Sequence, residues 1–332
     1  MIQGKQSISF KEPPKILSSA SIVGEKEGNG PLGKYFDRIT EDPMLGKNNW
    51  EEAESELQKR AAHAALKKAG LSPEHIRYLF CGDLLGQIIA SSFGMLGLNI
   101  PMFGLYGACS TAGESISLAA MTVAAGYASH CMAVTSSHFA SAEKQFRYPL
   151  EYACQRPLST TWTVTGSGAF IIANEGPVKI TGITTGKMID YGVKDSMNMG
   201  AAMAPAAADT IYQHFQDFDR TPEDYDLIVT GDLGVVGREL LLDLLQQKGY
   251  DLTKQHFDCG IAIFDDNTQD THSGGSGCGC SAVTLSAYLL PKLEQGELQR
   301  ILFLPTGALL STVSFNEGQS IPGICHGVIL EH

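Results

Sequence analysis

The chain has 332 residues, 43% hydrophobic and 18% charged, with a formal net charge of -12 from 24 Lys and Arg against 36 Asp and Glu. A charged fraction below the usual ~25% implies much buried surface, and at roughly 100–200 residues per domain the length suits two domains or one large α/β body. Disorder, collagen and coiled coil are excluded, and an acidic balance without a basic stripe argues against nucleic-acid binding, which needs clustered Lys and Arg to neutralise phosphate.

The N-terminal stretch MIQGKQSISFKEPPKIL lacks the apolar core and small-residue cleavage site of a signal peptide, so the chain is expected to stay where it is made, its eight cysteines as thiols. An amphipathic helix is predicted from Trp50 to Ala69, followed by a turn at Ser72-Pro73-Glu74 and a short apolar strand, Tyr78 to Cys81, that ends at Gly82-Asp83-Leu84. A second helix starts at Cys109, turns at Gly126 and leads into a strand reaching Ser136. No Lys, Arg, Asp or Glu lies between Glu114 and Glu143, but Ser115, Ser117, Gly126, Ser129 and His130 make that span a poor bilayer helix and a good buried one. Membrane association is then expected to be peripheral or through a partner. A long loop from Ser136 to Thr165 precedes a Gly-rich apolar strand, Gly166 to Ala173. Beyond Gly176-Pro177 come a helix from Ala206 to Phe218, the turn Thr221-Pro222-Glu223 and the strand Leu227 to Thr230 ending at Gly231-Asp232-Leu233. A helix from Gly279 that turns at Gly296 into a strand reaching Thr306, and a last strand from Gly327 to Leu330, complete the chain.

These elements repeat. Each residue of the second Pro-Glu turn, apolar strand and Gly-Asp-Leu lies 149 positions after its counterpart, from Pro73 and Pro222 to Asp83 and Asp232. At an offset of 170 the helix and strand from Cys109 to Ser136 match those from Gly279 to Thr306. A shared turn alone would be weak, but a constant offset through turn, strand and Gly-Asp-Leu, with a helix before each, points to duplication. The halves are expected at residues 1–177 and 178–332. Alternating strands and helices imply an α/β class with buried, mostly parallel sheets and right-handed crossovers.

Cys109 sits among small residues in Leu105-Tyr-Gly-Ala-Cys-Ser-Thr-Ala-Gly113, where the helical pattern begins. Unpaired backbone N–H groups and the positive helix end there favour a thiolate and can lower its pKa from ~8.5 to ~3.5–7.5, which suits a nucleophile or a bound anion. The bland alternative is a small buried hydrophobe, the fate of most free cysteines. Gly107-Ala-Cys-Ser-Thr111, Gly166-Ser-Gly-Ala-Phe-Ile-Ile172 and the duplication resemble the thiolase superfamily, especially ketoacyl-acyl carrier protein synthase III. The resemblance spans nearly the whole chain. It implies five layers, α-β-α-β-α, from two duplicated halves, a homodimer, and an acyl-accepting cysteine at Cys109. It also implies a His, whose place falls within Thr230-Gly231-Asp232-Leu233, and an Asn, whose place falls near His272-Ser273-Gly274; neither residue is there. A decarboxylating synthase aims such donors at a developing enolate, and an Asp has the wrong sign for that task.

Gly82-Asp-Leu-Leu85, Phe103 to Thr111, Ser136-Ser-His-Phe139, Gln145-Phe-Arg-Tyr-Pro149, Met203 to Thr210 and Gly274-Gly-Ser-Gly-Cys278 resemble, more specifically, the stage V sporulation AD family of spore-forming bacilli. That resemblance covers the chain end to end. It implies a thiolase-like protein that binds dipicolinic acid, pyridine-2,6-dicarboxylate, and helps move it with its Ca²⁺ salt into the developing forespore, at the membrane beside proteins of the same operon. A working Cys109 acyltransferase using His138 or His326 as base is the alternative.

A flat dianion needs donors or a cation and an apolar slot. The helix start Cys109-Ser110-Thr111 offers backbone donors and hydroxyls to one carboxylate. Arg147 could grip a carboxylate bidentately, or pair with Glu143 or Glu151 at the surface. Asp83 and Asp232 end equivalent strands, the edge where α/β folds place ligands. As acids they fit a structural turn equally well, and Asp83 becomes useful to the ligand if Ca²⁺ or a protonated ring nitrogen is present. His138 and His326 are further candidate donors, each also readable as a satisfied histidine. Cys278-Gly-Cys280 with His272 lacks the second half of a zinc site, so no metal is expected there. Gly274 to Gly279 departs from the dinucleotide fingerprint and follows an acidic run instead of a strand, which argues against NAD.

Overall fold

The computed structural model describes residues 1–146, 151 and 155–332. Ten strands form the continuous run of a 13-stranded main sheet among the described residues: β1 (Lys15–Gly24), β2 (Tyr78–Gly82), β3 (Met102–Gly104), β4 (His130–Ser137), β5 (Gly166–Ala173), β6 (Val178–Thr184), β7 (Leu227–Thr230), β8 (His256–Asp258), β9 (Arg300–Leu304) and β10 (Gly327–Glu331). The strands lie in the order β8-β7-β9-β10-β6-β1-β5-β4-β2-β3. Outward from the centre, the β1-β5-β4-β2-β3 run and the β6-β10-β9-β7-β8 run have the same order, and they are joined where Val178 and Lys179 pair with Ile16 and Lys15.

Direction differs from the sequence expectation. The β2–β3, β2–β4, β7–β8 and β7–β9 pairs are parallel, but β5 runs antiparallel to β1 and β4, and β10 antiparallel to β6 and β9. The sheet is therefore mixed. Continuous apolar strands record burial on both faces, which holds for either direction here.

Six helices matter for the site: α1 (Trp50–Ala69), α2 (Thr111–Ala124), α3 (Phe139–Phe146), α4 (Met199–Phe218), α5 (Gly234–Gln246) and α6 (Cys278–Thr284). On α1, Asn49 accepts from the Glu52 N–H at one end and Gly70, at φ 67°, closes the other. Its Leu57, Ala61 and Ala65 pack over Leu79, Met132 and Ile171. α2 and α6 fill the middle layer, where Ile116, Ala119, Ala282 and Val283 surround Phe170 and Phe303. α4 and α5 cover the far face of the second strand run through Ala207, Ile211 and Leu241. The result is an α-β-α-β-α stack. Beyond α6 a wide turn, Leu285–Leu289, precedes Pro291, which lacks the N–H that would bond back to Ala287.

Two further expectations change. The stretch read as a loop from Ser136 to Thr165 contains α3, whose Ala142 is buried beside a half-buried Phe146. The helix expected from Ala206 starts at Met199, with Pro205 inside it. Tertiary packing overrides the proline: Asn198 caps the first turn, and Gly200 lies so close to Gly237 that a Cβ on Gly200 would come within 3.0 Å of the Gly237 Cα. Among the described residues no helix is long and apolar enough to cross a membrane.

Candidate functional site

The chain leaves β3 and enters α2 through the tight turn Ala108–Ser110. Ala108 holds φ at 49°, a left-handed conformation that is costly for a residue with a Cβ and is found where surrounding structure enforces it. Ser110 Oγ donates to Gly107 O at 2.7 Å, Thr111 Oγ1 donates to Ala108 O at 2.7 Å, and the Gly107 N–H donates to Thr111 Oγ1 at 3.0 Å. The turn is tied by its own hydroxyls. Cys109, 7% exposed, faces a pocket.

That pocket is narrow, with about 50 Å³ open to a water centre. Leu84, Phe146, Met199 and Leu310 give it apolar walls. Thr160, Thr161, Thr163 and Ser276 give it a hydroxyl wall, held by the two-residue ladder in which Trp162 and Thr163 pair with Gly275 and Ser276. Glu143 on α3 is the charged residue among the described lining, and it accepts from Thr163 Oγ1 at 3.3 Å. Apolar side chains together with a bank of hydroxyls suit a small molecule with apolar faces and polar edges.

The electrostatics at Cys109 reverse the expectation drawn from the helix start. Burial, then the negative charge of Asp232, push the Cys109 thiol well above its ordinary value, with its S–H directed at that carboxylate. Desolvation outweighs the helix end because the thiolate would lie in an apolar, water-poor site. Asp232, with no exposed surface, accepts from Gly277 N at 2.9 Å and Thr306 Oγ1 at 2.8 Å, and burial pushes it up to about 7 despite these bonds. Cys278, which donates to Ser136 O, is raised well above its usual range by burial and by Glu54, Asp83 and Asp232.

Asp83 stands at the end of β2, but its carboxylate is spent on the Leu85 N–H, the Ser91 N–H and Ser91 Oγ, and it does not reach the pocket wall. Ser110 and Thr111 likewise face the turn. His138 accepts the Ala140 N–H on Nδ1 and reaches Pro43 O with Nε2 at 2.8 Å, so both ring nitrogens serve the backbone. His326 accepts from Gly186 N at 3.3 Å, and burial lowers it to about 4. Arg147 lies outside the described residues. Cys278 and Cys280 give their S–H groups to Ser136 O and Gly231 O, whereas His272 is tied to Asp270 and Pro157.

Sequence reasoning missed Glu54. It lies on the buried face of α1, accepts from Ser136 and Ser141 hydroxyls, and is raised to about 8 by burial and then by the charge of Asp83. Its place between Ala53 and Leu57 on a stripe whose other buried polar residue is Gln58 was the available signal.

A family model for stage V sporulation protein AD matches residues 4–331. Stage V sporulation protein AD of Bacillus subtilis (strain 168) is 44% identical over 331 residues, covering 99% of this chain and 98% of that protein. The chain belongs to the stage V sporulation protein AD family. It is thus a sporulation protein on a thiolase-like scaffold. Among solved structures, 3-oxoacyl-[acyl-carrier-protein] synthase III from Aquifex aeolicus VF5 superposes with a TM-score of 0.59 at 15% identity, covering 96% of this chain and 100% of that one. A variant of OleA from Xanthomonas campestris gives 0.61 at 16% identity, with 98% of each chain covered. At such identities these two similarities speak for the fold alone. This chain therefore shares the fold of those two structures and carries, at the start of α2, a Cys109 whose thiol is directed at the Asp232 carboxylate.

Proposed function

We propose that the protein binds dipicolinic acid without catalysis and supports its uptake into the developing forespore. The observation that carries this reading is the pocket at Cys109, lined by apolar side chains and by a group of hydroxyls, in a chain of the sporulation family. The absence of catalysis is inferred from Asp232, which lies in the stretch Thr230 to Leu233 where the resemblance implies a His, and which favours the neutral thiol at Cys109. A buried S–H is a poor nucleophile, because the thiolate is the reacting form. In this proposal Ca²⁺ travels with the ligand as cargo. The chain works as halves 1–177 and 178–332 and meets its membrane partners from outside the bilayer.

The dianion needs a cation that the described lining does not supply, and Arg147 follows pocket-lining Phe146 by one position. A buried Arg–carboxylate contact contributes about 1.5–3 kcal/mol. Calorimetric titration with dipicolinate, with and without Ca²⁺, should therefore show saturable binding to the wild type and a loss of about ten- to a hundred-fold in Arg147→Ala. Arg147→Lys should recover only part, lacking the planar fork. Absence of any heat of binding with either form of the ligand would sink the reading. The alternative, a Cys109 acyltransferase, draws on the cysteine lying at a helix start beneath a pocket. Stoichiometric acyl transfer from an acyl-CoA onto Cys109 would establish it.

We also propose a homodimer through the free edge of β3, where Met102 and Phe103 are 39% and 52% exposed beside Phe93 at 66% and Leu96 at 74%. An unpaired strand edge with large apolar side chains favours pairing with a second copy. Light scattering at micromolar concentration should give twice the chain mass, and a monomer mass would count against it.

A further inference from the structure

We infer that Asp232 is a proton-operated positioning residue for Cys109, so that an anion entering the pocket is taken up together with one proton. The inference rests on the dipicolinate reading for the identity of the ligand, but the switch itself belongs to the free protein. Cys109 is on the pocket wall and Asp232 is fully buried behind it. While the carboxylate is charged it holds the thiol hydrogen, and the pocket meets a sulfur lone pair backed by a negative charge. Both repel an anion. A proton arriving from solvent on the Asp232 carboxylate removes that charge and breaks no covalent bond. The Cys109 hydrogen, no longer held by a charge-assisted bond, is then free to turn toward the ligand.

Among the described residues packed on Asp232 none carries a positive charge, so a proton is what neutralises its carboxylate. The turn Ala108–Ser110 presents Cys109 to Asp232; the segment opening α6 presents the Gly277 N–H, Cys278 and Cys280; the strand Thr306–Ala308 presents Thr306 Oγ1; and the end of β8 presents Asp258 and Cys259. No Lys, Arg or His is among these described neighbours. Asp258 adds repulsion, since it is a second buried carboxylate, satisfied by Thr230 Oγ1 and the N–H groups of Leu233, Gly234 and Ile261. With Asp232 near 7 in the free protein, the proton is exchanged in the neutral range. Ordinary carboxylic acids titrate near 4, so the ligand keeps its charge over the same range. Linkage then fixes the sign: binding takes up a proton above the free value, and affinity falls as pH rises.

Two measurements test this. In the free protein the infrared S–H band of Cys109, identified by its loss in Cys109→Ala, should shift as pH crosses 7 and stay fixed in Asp232→Asn. In calorimetry with dipicolinate from pH 6 to 9, in buffers of different ionisation enthalpy, wild-type affinity should fall about tenfold per pH unit above 7 with net proton uptake approaching one. Asp232→Asn should bind with a flat profile near the wild-type value at low pH, because a neutral amide holds no thiol by charge and Thr306 can turn its hydroxyl to match it. An S–H band blind to pH in the wild type, or a slope that survives in Asp232→Asn, would overturn the switch. A shifting band with no dipicolinate binding at any pH would uphold the switch and remove dipicolinate as the ligand.

Discussion

Phe170→Ala is expected to lower stability by about 3–5 kcal/mol, the usual range for deleting a buried aromatic ring. Phe170 lies at the centre of β5, opposite Ser19 of β1 and Ala133 of β4, with 1% of its surface exposed. Strand side chains alternate between faces. Ala169 and Ile171 therefore meet the outer layer with α1, while Phe170 and Ile172 meet the middle layer with α2 and α6. The ring thus fills space between helices from both strand runs. In urea the midpoint should drop while the m-value holds, which separates lost stability from a changed unfolded state. Phe170→Leu, which keeps most of the volume, should cost less than about 1.5 kcal/mol. A loss under about 1 kcal/mol in Phe170→Ala would mean the middle layer is not packed around this side chain.

The position of Phe170 could be read from the chain, and other features could not, for identifiable reasons. The duplicated turn, strand and Gly-Asp-Leu gave Asp83 and Asp232 as equivalent strand ends, and the structure places them at the ends of β2 and β7 within runs of identical order. Their unlike roles were invisible, because each depends on what arrives from elsewhere: Ser91 at Asp83, but Cys109, Gly277 and Thr306 at Asp232. The helix start at Cys109 was legible from its small residues. Its electrostatics were not, since a positive helix end is local whereas burial and the Asp232 charge are products of the whole fold. The hydroxyl wall came from Thr160, Thr161 and Ser276, which sit in segments without periodicity and meet only through the short ladder at Trp162 and Gly275. α3 carried a signal in Phe139, Ala142 and Phe146, spaced for one helical face, that lay hidden in a stretch read as loop.

Gly307→Ala should weaken dipicolinate binding more than tenfold and cost about 1–3 kcal/mol of stability, the usual range for overpacking. Gly307 lies in the short strand Thr306–Ala308, pressed against the Cys109 turn. A Cβ there would stand 2.3 Å from Gly107 O, 3.0 Å from Ser110 N and 3.3 Å from Cys109 N. All three are backbone atoms of the turn whose hydroxyls already fix it, so relief requires moving the turn away from the strand. Such a shift changes three things at once. Cys109 leaves its place on the pocket wall, Ala308 moves the facing wall, and Thr306 loses its grip on Asp232. Because positioned groups act over tenths of an ångström, binding should suffer more than folding. Gly97→Ala is the control: a Cβ added there would meet nothing within 4 Å, so affinity and stability should stay within about 0.5 kcal/mol of wild type. A folded Gly307→Ala protein with wild-type affinity would show that the ligand does not touch the Cys109 turn, and would move the binding site away from this pocket.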